Sequence, residues 1–152
     1  MTIALDDPRA ADVRALLEAH LAFNRAASPP EDVHALDVDE LCAPDVLFFS
    51  ARDDSGALLG VGALRRLDDE HGEIKSMHTL QRARKRGVAR MMLEHLVETA
   101  RRDGCTRVSL ETGSMDEFAP ARALYTSAGF VECEPFGDYG PSVNSTFMTR
   151  CL

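Results

Sequence analysis

No stretch of this chain reaches the roughly 18 consecutive apolar residues that a membrane-spanning helix needs, so neither a transmembrane segment nor a membrane partner is expected. The opening run Met1-Thr-Ile-Ala-Leu-Asp-Asp-Pro8 has no basic segment leading into a long apolar one, and does not read as a signal peptide. The four cysteines, Cys42, Cys105, Cys133 and Cys151, include no C-x-x-C pair, and no histidine lies close enough in sequence to complete a zinc site. Free thiols in a reducing cytoplasm and no metal are therefore expected. Glycines are also missing where two common nucleotide motifs need them. Gly87 is the only glycine between Gly72 and Gly104, so neither G-x-x-x-x-G-K-[S/T] nor G-x-G-x-x-G is present, which argues against ATP and NAD. Positive charge is in deficit, with a formal net charge of −8 and a pI near 5.0, and this speaks against a general nucleic-acid binder.

What is present is an ordinary globular composition, 45% hydrophobic and 28% charged over 152 residues, long enough for one domain (1–152) with one real core. Thr2–Leu5 reads as a short strand stopped by Asp6-Asp7-Pro8. Asp7 is placed to cap a helix over 8–26, on which Val13, Leu16, Leu17, His20 and Leu21 recur at helical spacing. Ser28-Pro29-Pro30 breaks it, and 31–43 reads as a short helix and loop. Val46–Ala51, a turn at Asp53–Gly56, and Ala57–Leu64 form an antiparallel hairpin. Gly60 and Gly62 within it suggest a bulge or a close backbone approach. A second turn, Asp68–Gly72, leads to a strand over Glu73–Leu80. A helix from Arg86 to Arg102, stopped by Gly104, then leads to a strand over Thr106–Glu111. That order is a crossover and predicts parallel neighbours. A helix over 117–128, a strand at Phe130–Cys133, a loop Pro135–Pro141 and a strand at Ser145–Cys151 complete the chain.

Five cations, Arg82, Arg84, Lys85, Arg86 and Arg90, crowd one strand-to-helix join of an otherwise acidic protein. Unpaired N–H groups and the dipole at a helix start attract an anion, whereas cations there oppose the dipole. The placement makes sense if a phosphate occupies it.

Arg84-x-x-Gly87-x-Ala89 after a strand and into a helix resembles the acyl-CoA pyrophosphate loop, Q/R-x-x-G-x-G/A, of the GNAT superfamily of N-acetyltransferases. Downstream, Ala121-x-x-Leu124-Tyr125-x-x-x-Gly129-Phe130 is similar to the second signature of that superfamily. The runs Leu110-Glu-Thr-Gly113 and Pro135-Phe-Gly-Asp-Tyr139 resemble those of a bacterial branch of it. The resemblance implies an α/β (α+β) fold with a mixed, mostly antiparallel sheet of six or seven strands, helices on both faces, and a cleft where two central parallel strands splay. It implies acetyl-CoA as co-substrate, a small-molecule or protein amine as acceptor, and a possible homodimer.

It also implies roles for particular residues. Arg84, Lys85, Arg86, Gly87, Val88, Ala89 and Arg90 would cradle the pyrophosphate, while Met77, His78 and Thr79 would pair with pantetheine and supply N–H groups to an oxyanion. Tyr125 falls at the position of the acid that protonates the departing sulfur. Phe118 stands where many members carry an asparagine, so it is expected to pack against the cofactor instead. Glu73 occupies a position where some members carry a general base. His78 is a rival by its near-neutral pKa, and Glu111 is a third candidate at the end of the neighbouring strand. The acceptor is expected to be selected by residues 23–43 and 134–144, with Glu111, Phe136 and Tyr139 against it. A reading from another class is a non-catalytic acyl-CoA-binding module, against which stand Tyr125 and the candidate bases.

Overall fold

Seven strands make one open sheet, and its order is fixed by which connections are short. The computed structural model describes all residues, Met1–Leu152. Strands β1 (Thr2–Leu5), β2 (Val46–Arg52), β3 (Leu58–Arg66), β4 (His71–Thr79), β5 (Arg107–Gly113), β6 (Val131–Glu132) and β7 (Ser145–Cys151) lie in the order β1-β2-β3-β4-β5-β7-β6. The predicted hairpin and meander are β2, β3 and β4, all antiparallel. The predicted crossover makes β4 and β5 parallel neighbours, joined by helix α3 (Val88–Arg102). Helices α1 (Ala11–Ala27), α2 (Val38–Leu41) and α4 (Ala119–Ser127) complete the fold. No helix is long and apolar enough to cross a membrane.

The two faces of the sheet bury separate cores. On one face Met92, Leu93, Leu96 and Val97 of α3 pack with Tyr125 and Ala128 at α4 against Leu59, Ile74, Val108 and Leu110. On the other, Val13, Leu16 and Leu17 of α1 and Leu41 of α2 cover Phe48, Val61 and Ala63. Each fully buried aliphatic side chain contributes about 1.5–3 kcal/mol of transfer free energy. The second face is covered by helices only as far as β4. Over β5 and β7 it is closed by Phe136 and Tyr139 from the 133–144 loop, stacked on Phe147.

The glycines at 60 and 62 mark both features expected of them. The register of β3 against β4 slips between Val61 and Ala63, because β4 carries a bulge at Ser76, whose φ is +56°. The helix face is also close. A Cβ on Gly60 would come within 3.2 Å of Val88 Cγ1, and one on Gly62 within 2.8 Å of Met92 Cγ.

Three expected boundaries are corrected. The first helix begins at Ala11 and not at residue 8, and its Ala10 cap has no side-chain hydrogen bond. The Asp7 carboxylate instead accepts from Arg9 N at 2.9 Å within a turn. The helix expected over 117–128 is shorter, because Asp116–Phe118 is a 3-10 turn. The strand expected over Phe130–Cys133 shrinks to two residues, because Phe130 N bonds back to Tyr125 O to finish α4.

Gly62→Ala is expected to lower stability by about 1–3 kcal/mol, as overpacking does. Urea denaturation monitored by circular dichroism measures it, and an unchanged midpoint would contradict so tight an α3–β3 contact.

Candidate active site

The parallel pairing of β4 with β5 lasts three residues, His71↔Arg107, Gly72↔Val108 and Glu73↔Ser109, and then stops. β4 runs on to Thr79 and β5 to Gly113 with their backbone edges facing a gap. β5 stays straight because β7 pairs with it along its whole length. β4 bends away at the Ser76 bulge. The result is the splayed cleft at the centre of the sheet.

At the outer end of the cleft lies the basic loop. Leu80 N bonds to Leu59 O, and Arg82 donates to Leu58 O at 2.8 Å, so Arg82 fastens the loop to β3. Arg90 is tied to Ser127 of α4. Arg84, Lys85 and Arg86 remain exposed. Lys85 and Gly87 both have positive φ, +61° and +81°, and Gly87 is the residue before the first turn of α3. Nothing lies within 4 Å of the position a Gly87 Cβ would take, so glycine is required by its conformation and its outer side is open. That first turn has no side-chain cap and no acid. Its N–H groups, three free cations and open glycine flank form a receptacle suited to a pyrophosphate.

Along the cleft, Met77, His78 and Thr79 form the β4 lip. On the β5 side Phe118 packs so closely on Gly113 that a Cβ there would collide with its ring. Phe118 also meets Phe23 of α1 edge-on at 5.3 Å, so an aromatic pair joins α1 to the turn before α4. Tyr125 is buried, with its ring 6.0 Å from Phe130. Burial, and then the charge of Glu111, push its phenol up to about 12. It therefore stays protonated at neutral pH and is able to donate.

On the opposite face of the sheet is a trench. Strand alternation puts Ile74 in the α3 core and Glu73 and Lys75 towards the trench. Both are almost wholly buried, with side chains 2% and 7% exposed. Tyr139 donates to Glu73 at 2.5 Å and accepts from Lys75 at 2.7 Å, while Lys75 and Glu73 are 3.4 Å apart. Burial, then the Glu73 charge, hold the Tyr139 phenol far above its ordinary value. His34 stacks edge-on against Tyr139 at 5.0 Å. These groups line one side of an open cavity of about 530 Å³ that extends to Arg65 and Asp45. Glu111 alternates with the core residue Leu110 and so lies on the same face of the sheet, beyond the lining of that cavity. Burial raises its carboxyl to about 7, against the restraining influence of Ser145 and Lys75. The Ser145 hydroxyl is buried and completes no hydrogen bond of ordinary geometry.

Two histidine arrangements flank the trench. His71 Nδ1 is 3.2 Å from the Arg107 guanidinium, which only donates, so Nε2 carries the proton and gives it to Ser109 Oγ at 2.7 Å. His78 Nδ1 lies 3.2 Å from His20 Nδ1 of α1, a geometry that needs one nitrogen bare. Burial, then the charge of His78, lower His20 to about 4. The folded state thus prefers His20 neutral, a preference that favours folding above pH 6.5 and is lost as pH falls towards 4.

Of the residues singled out from sequence, Arg84–Arg90, Met77–Thr79, Phe118 and Tyr125 border the cleft, Glu73 and Tyr139 line the trench, and Glu111 and Phe136 lie on the same face outside its lining. Lys75, His20 and His34 were not singled out. Only Lys75 had a readable signal, since Glu73-x-Lys75 on a strand places opposite charges on one face.

The chain matches the family model described as the Acetyltransferase (GNAT) family over residues 13–130. It is 48% identical over 152 residues to the uncharacterised N-acetyltransferase YsnE of Bacillus subtilis (strain 168), covering 100% of both chains. Among solved structures it is similar to a candidate acyl-CoA N-acyltransferase from Klebsiella pneumoniae subsp. pneumoniae MGH 78578, with a TM-score of 0.84, 28% identity, and coverage of 99% and 97% of the two chains. It shares its fold, at 16% identity and a TM-score of 0.72 over 99% and 97% of the chains, with a GNAT family acetyltransferase from Elizabethkingia anophelis that has acetyl-CoA bound.

A carboxyl held near 7 in the folded state and near 4.5 when unfolded weakens the fold as pH rises between those values. Glu111→Gln is expected to leave stability unchanged at pH 4 and to raise it by on the order of 1–3 kcal/mol at pH 8, after allowing for solvent screening. Thermal melts at the two pH values measure this, and equal shifts at both would contradict a raised Glu111.

Proposed function

The chain belongs to the GNAT acetyltransferase family, and on that premise we propose that it transfers acetyl from acetyl-CoA to a primary amine of a small molecule or a protein. The amine attacks directly while both substrates are bound. The observation that carries this reading is the early end of the β4–β5 pairing beside a positive-φ, cation-rich helix start.

Acetyl-CoA supplies an activated thioester carbonyl, and the protein supplies the rest. Exposed Arg84, Lys85 and Arg86, with backbone N–H groups from Gly87, Val88, Ala89 and Arg90, hold the pyrophosphate. The unpaired β4 edge at Met77, His78 and Thr79 pairs with the pantetheine arm and directs N–H groups at the oxygen that becomes negative. Phe118 takes the place of the family's common asparagine and contributes packing. The ammonium of the acceptor gives up a proton, its nitrogen bonds to the carbonyl carbon, and the carbon–sulfur bond breaks. Tyr125 passes its proton to the sulfur and is recharged from solvent. The acceptor enters by the trench, against Glu111, Phe136 and Tyr139.

Acetyl-CoA at a hundredfold excess over its Kd is expected to stabilise the protein by about 2.7 kcal/mol, seen as a rise in Tm. Gly87→Ala is expected to shrink that rise, since a Cβ at φ +81° is strained. Tyr125→Phe is expected to keep the rise and to lower thiol release by roughly a hundredfold. No rise in the wild-type protein would remove the cofactor reading. A rise without thiol release against any amine or peptide would favour a binding module.

A further inference from the structure

We infer that Glu111 is the general base of the transfer and that Lys75 is the positioning residue that sets when Glu111 is charged. This rests on the acetyl-transfer reading above and names the group that this reading leaves open.

The base and the acid must flank the same thioester, one beside the incoming nitrogen and one beside the departing sulfur. Three groups compete for the base. Glu73 is almost wholly buried, and Tyr139 and Lys75 both donate to its Oε2, so taking up a proton there breaks an arrangement that needs it charged. His78 has turned past the bulge towards α1, where His20 occupies its Nδ1 and Arg84 of the cofactor loop is its charged neighbour. Glu111 is inside the splay, two residues beyond the last β4–β5 pair, on the trench face. Continuing the register from Glu73↔Ser109 sets Glu111 across the gap from Lys75. Glu111 also stands beside the buried Ser145 hydroxyl of β7, which favours its charged form.

Lys75 is the one cation among these groups. The groups that bear on Glu111 are Lys75 and Glu73 from β4, Ser145 from β7 and Asp32 from the turn before α2. Glu111 in turn bears on Tyr125 of α4 and Tyr139 of the 133–144 loop. Of the charges among them, only Lys75 favours ionised Glu111, and its ammonium is held in place by Tyr139 and Glu73. Removing it leaves Glu111 facing carboxylates alone, so its proton is released at higher pH. The step balances simply. The acceptor ammonium proton moves to the Glu111 carboxylate, the nitrogen lone pair forms the amide bond, and Glu111 then returns the proton to solvent.

The test is the pH dependence of kcat/KM for thiol release with the best acceptor from an amine panel. The wild type is expected to show an acidic limb near pH 7. Glu111→Gln is expected to lose that limb and to fall about a hundredfold, with its acetyl-CoA Tm shift intact. Lys75→Met is expected to move the limb up by at least about half a pH unit, and Lys75→Arg to restore it. Should Lys75→Met fail to fold because it strands the Glu73 carboxylate, Glu73→Gln/Lys75→Met removes both charges. Compared with Glu73→Gln alone, that double variant differs only in Lys75, and its limb is expected at higher pH. An acidic limb retained by Glu111→Gln, or lost in His78→Ala instead, would overturn the assignment of the base. A limb unmoved in a folded Lys75 variant would overturn the role of Lys75. Absence of thiol release by the wild type would overturn the transfer reading itself.

Discussion

The early end of the β4–β5 pairing is the constraint on which the rest of the molecule depends. Parallel strands with the native twist ordinarily continue side by side, and an unpaired backbone edge in a sheet centre is unfavourable. Here β5 is held by seven residue pairs to β7, so the departure falls on β4. The bulge at Ser76 bends β4, and Gly62 opposite it leaves room for Met92 and Leu96 of α3. The extra residue also reverses the side-chain alternation. Before it, Glu73 and Lys75 face the trench and Ile74 the α3 core; after it, Met77 packs on the α3 core and His78 turns to His20 of α1. One strand thus presents charge to the trench at its start and an unpaired backbone lip to the cleft at its end.

The same economy governs the start of α3. Arg84, Lys85 and Arg86 precede a helix that has no acid in its first turn, an arrangement that disfavours the free protein by about 0.3–1 kcal/mol for each close charge. The fold compensates nearby rather than in place. Arg82 and Arg90 are anchored to Leu58 O and to Ser127, and Arg101 and Arg102 sit favourably at the far end of the helix, paired with Glu98. The exposed cations are left without an anionic partner in the fold. A helix start built this way is locally unfavourable and suited to an added anion.

Much of this was legible in the sequence because it rests on local rules. The meander, the crossover and the helix ends at Gly104 and Gly129 follow from turn residues and periodicity, and both glycines have the positive φ that ends a helix. Gly87 and Tyr125 were legible through motif spacing. The bulge was visible only from its partner strand, as glycines at 60 and 62, since nothing in Ser76 announces a left-handed backbone. The first helix was placed too early because Asp7 and Pro8 suit a helix start equally well as the turn they form. The bond from Lys75 to Tyr139 joins residues 64 apart, and that between His20 and His78 joins residues 58 apart. Such pairs have no sequence period and come into being only when the sheet closes.

That distance in sequence also explains how the trench is organised. Glu73, Lys75 and Tyr139 form a buried ionic group, and such groups are often no more stable than well-packed apolar residues of the same size. Tyr139 arrives on the 133–144 loop, so the group pins that loop across β5 and β7, where no helix covers the sheet. With Glu73 matched to Lys75, Glu111 is the carboxylate left without a partner of its own, and it is held near the midpoint of its titration at neutral pH. A fully matched trench would make a firmer fold, and Glu111 would then be either always charged or never. That unpaired carboxylate gives up some stability as pH rises through neutrality, and in exchange this face of the sheet contains a carboxyl able to take and release a proton under ordinary conditions.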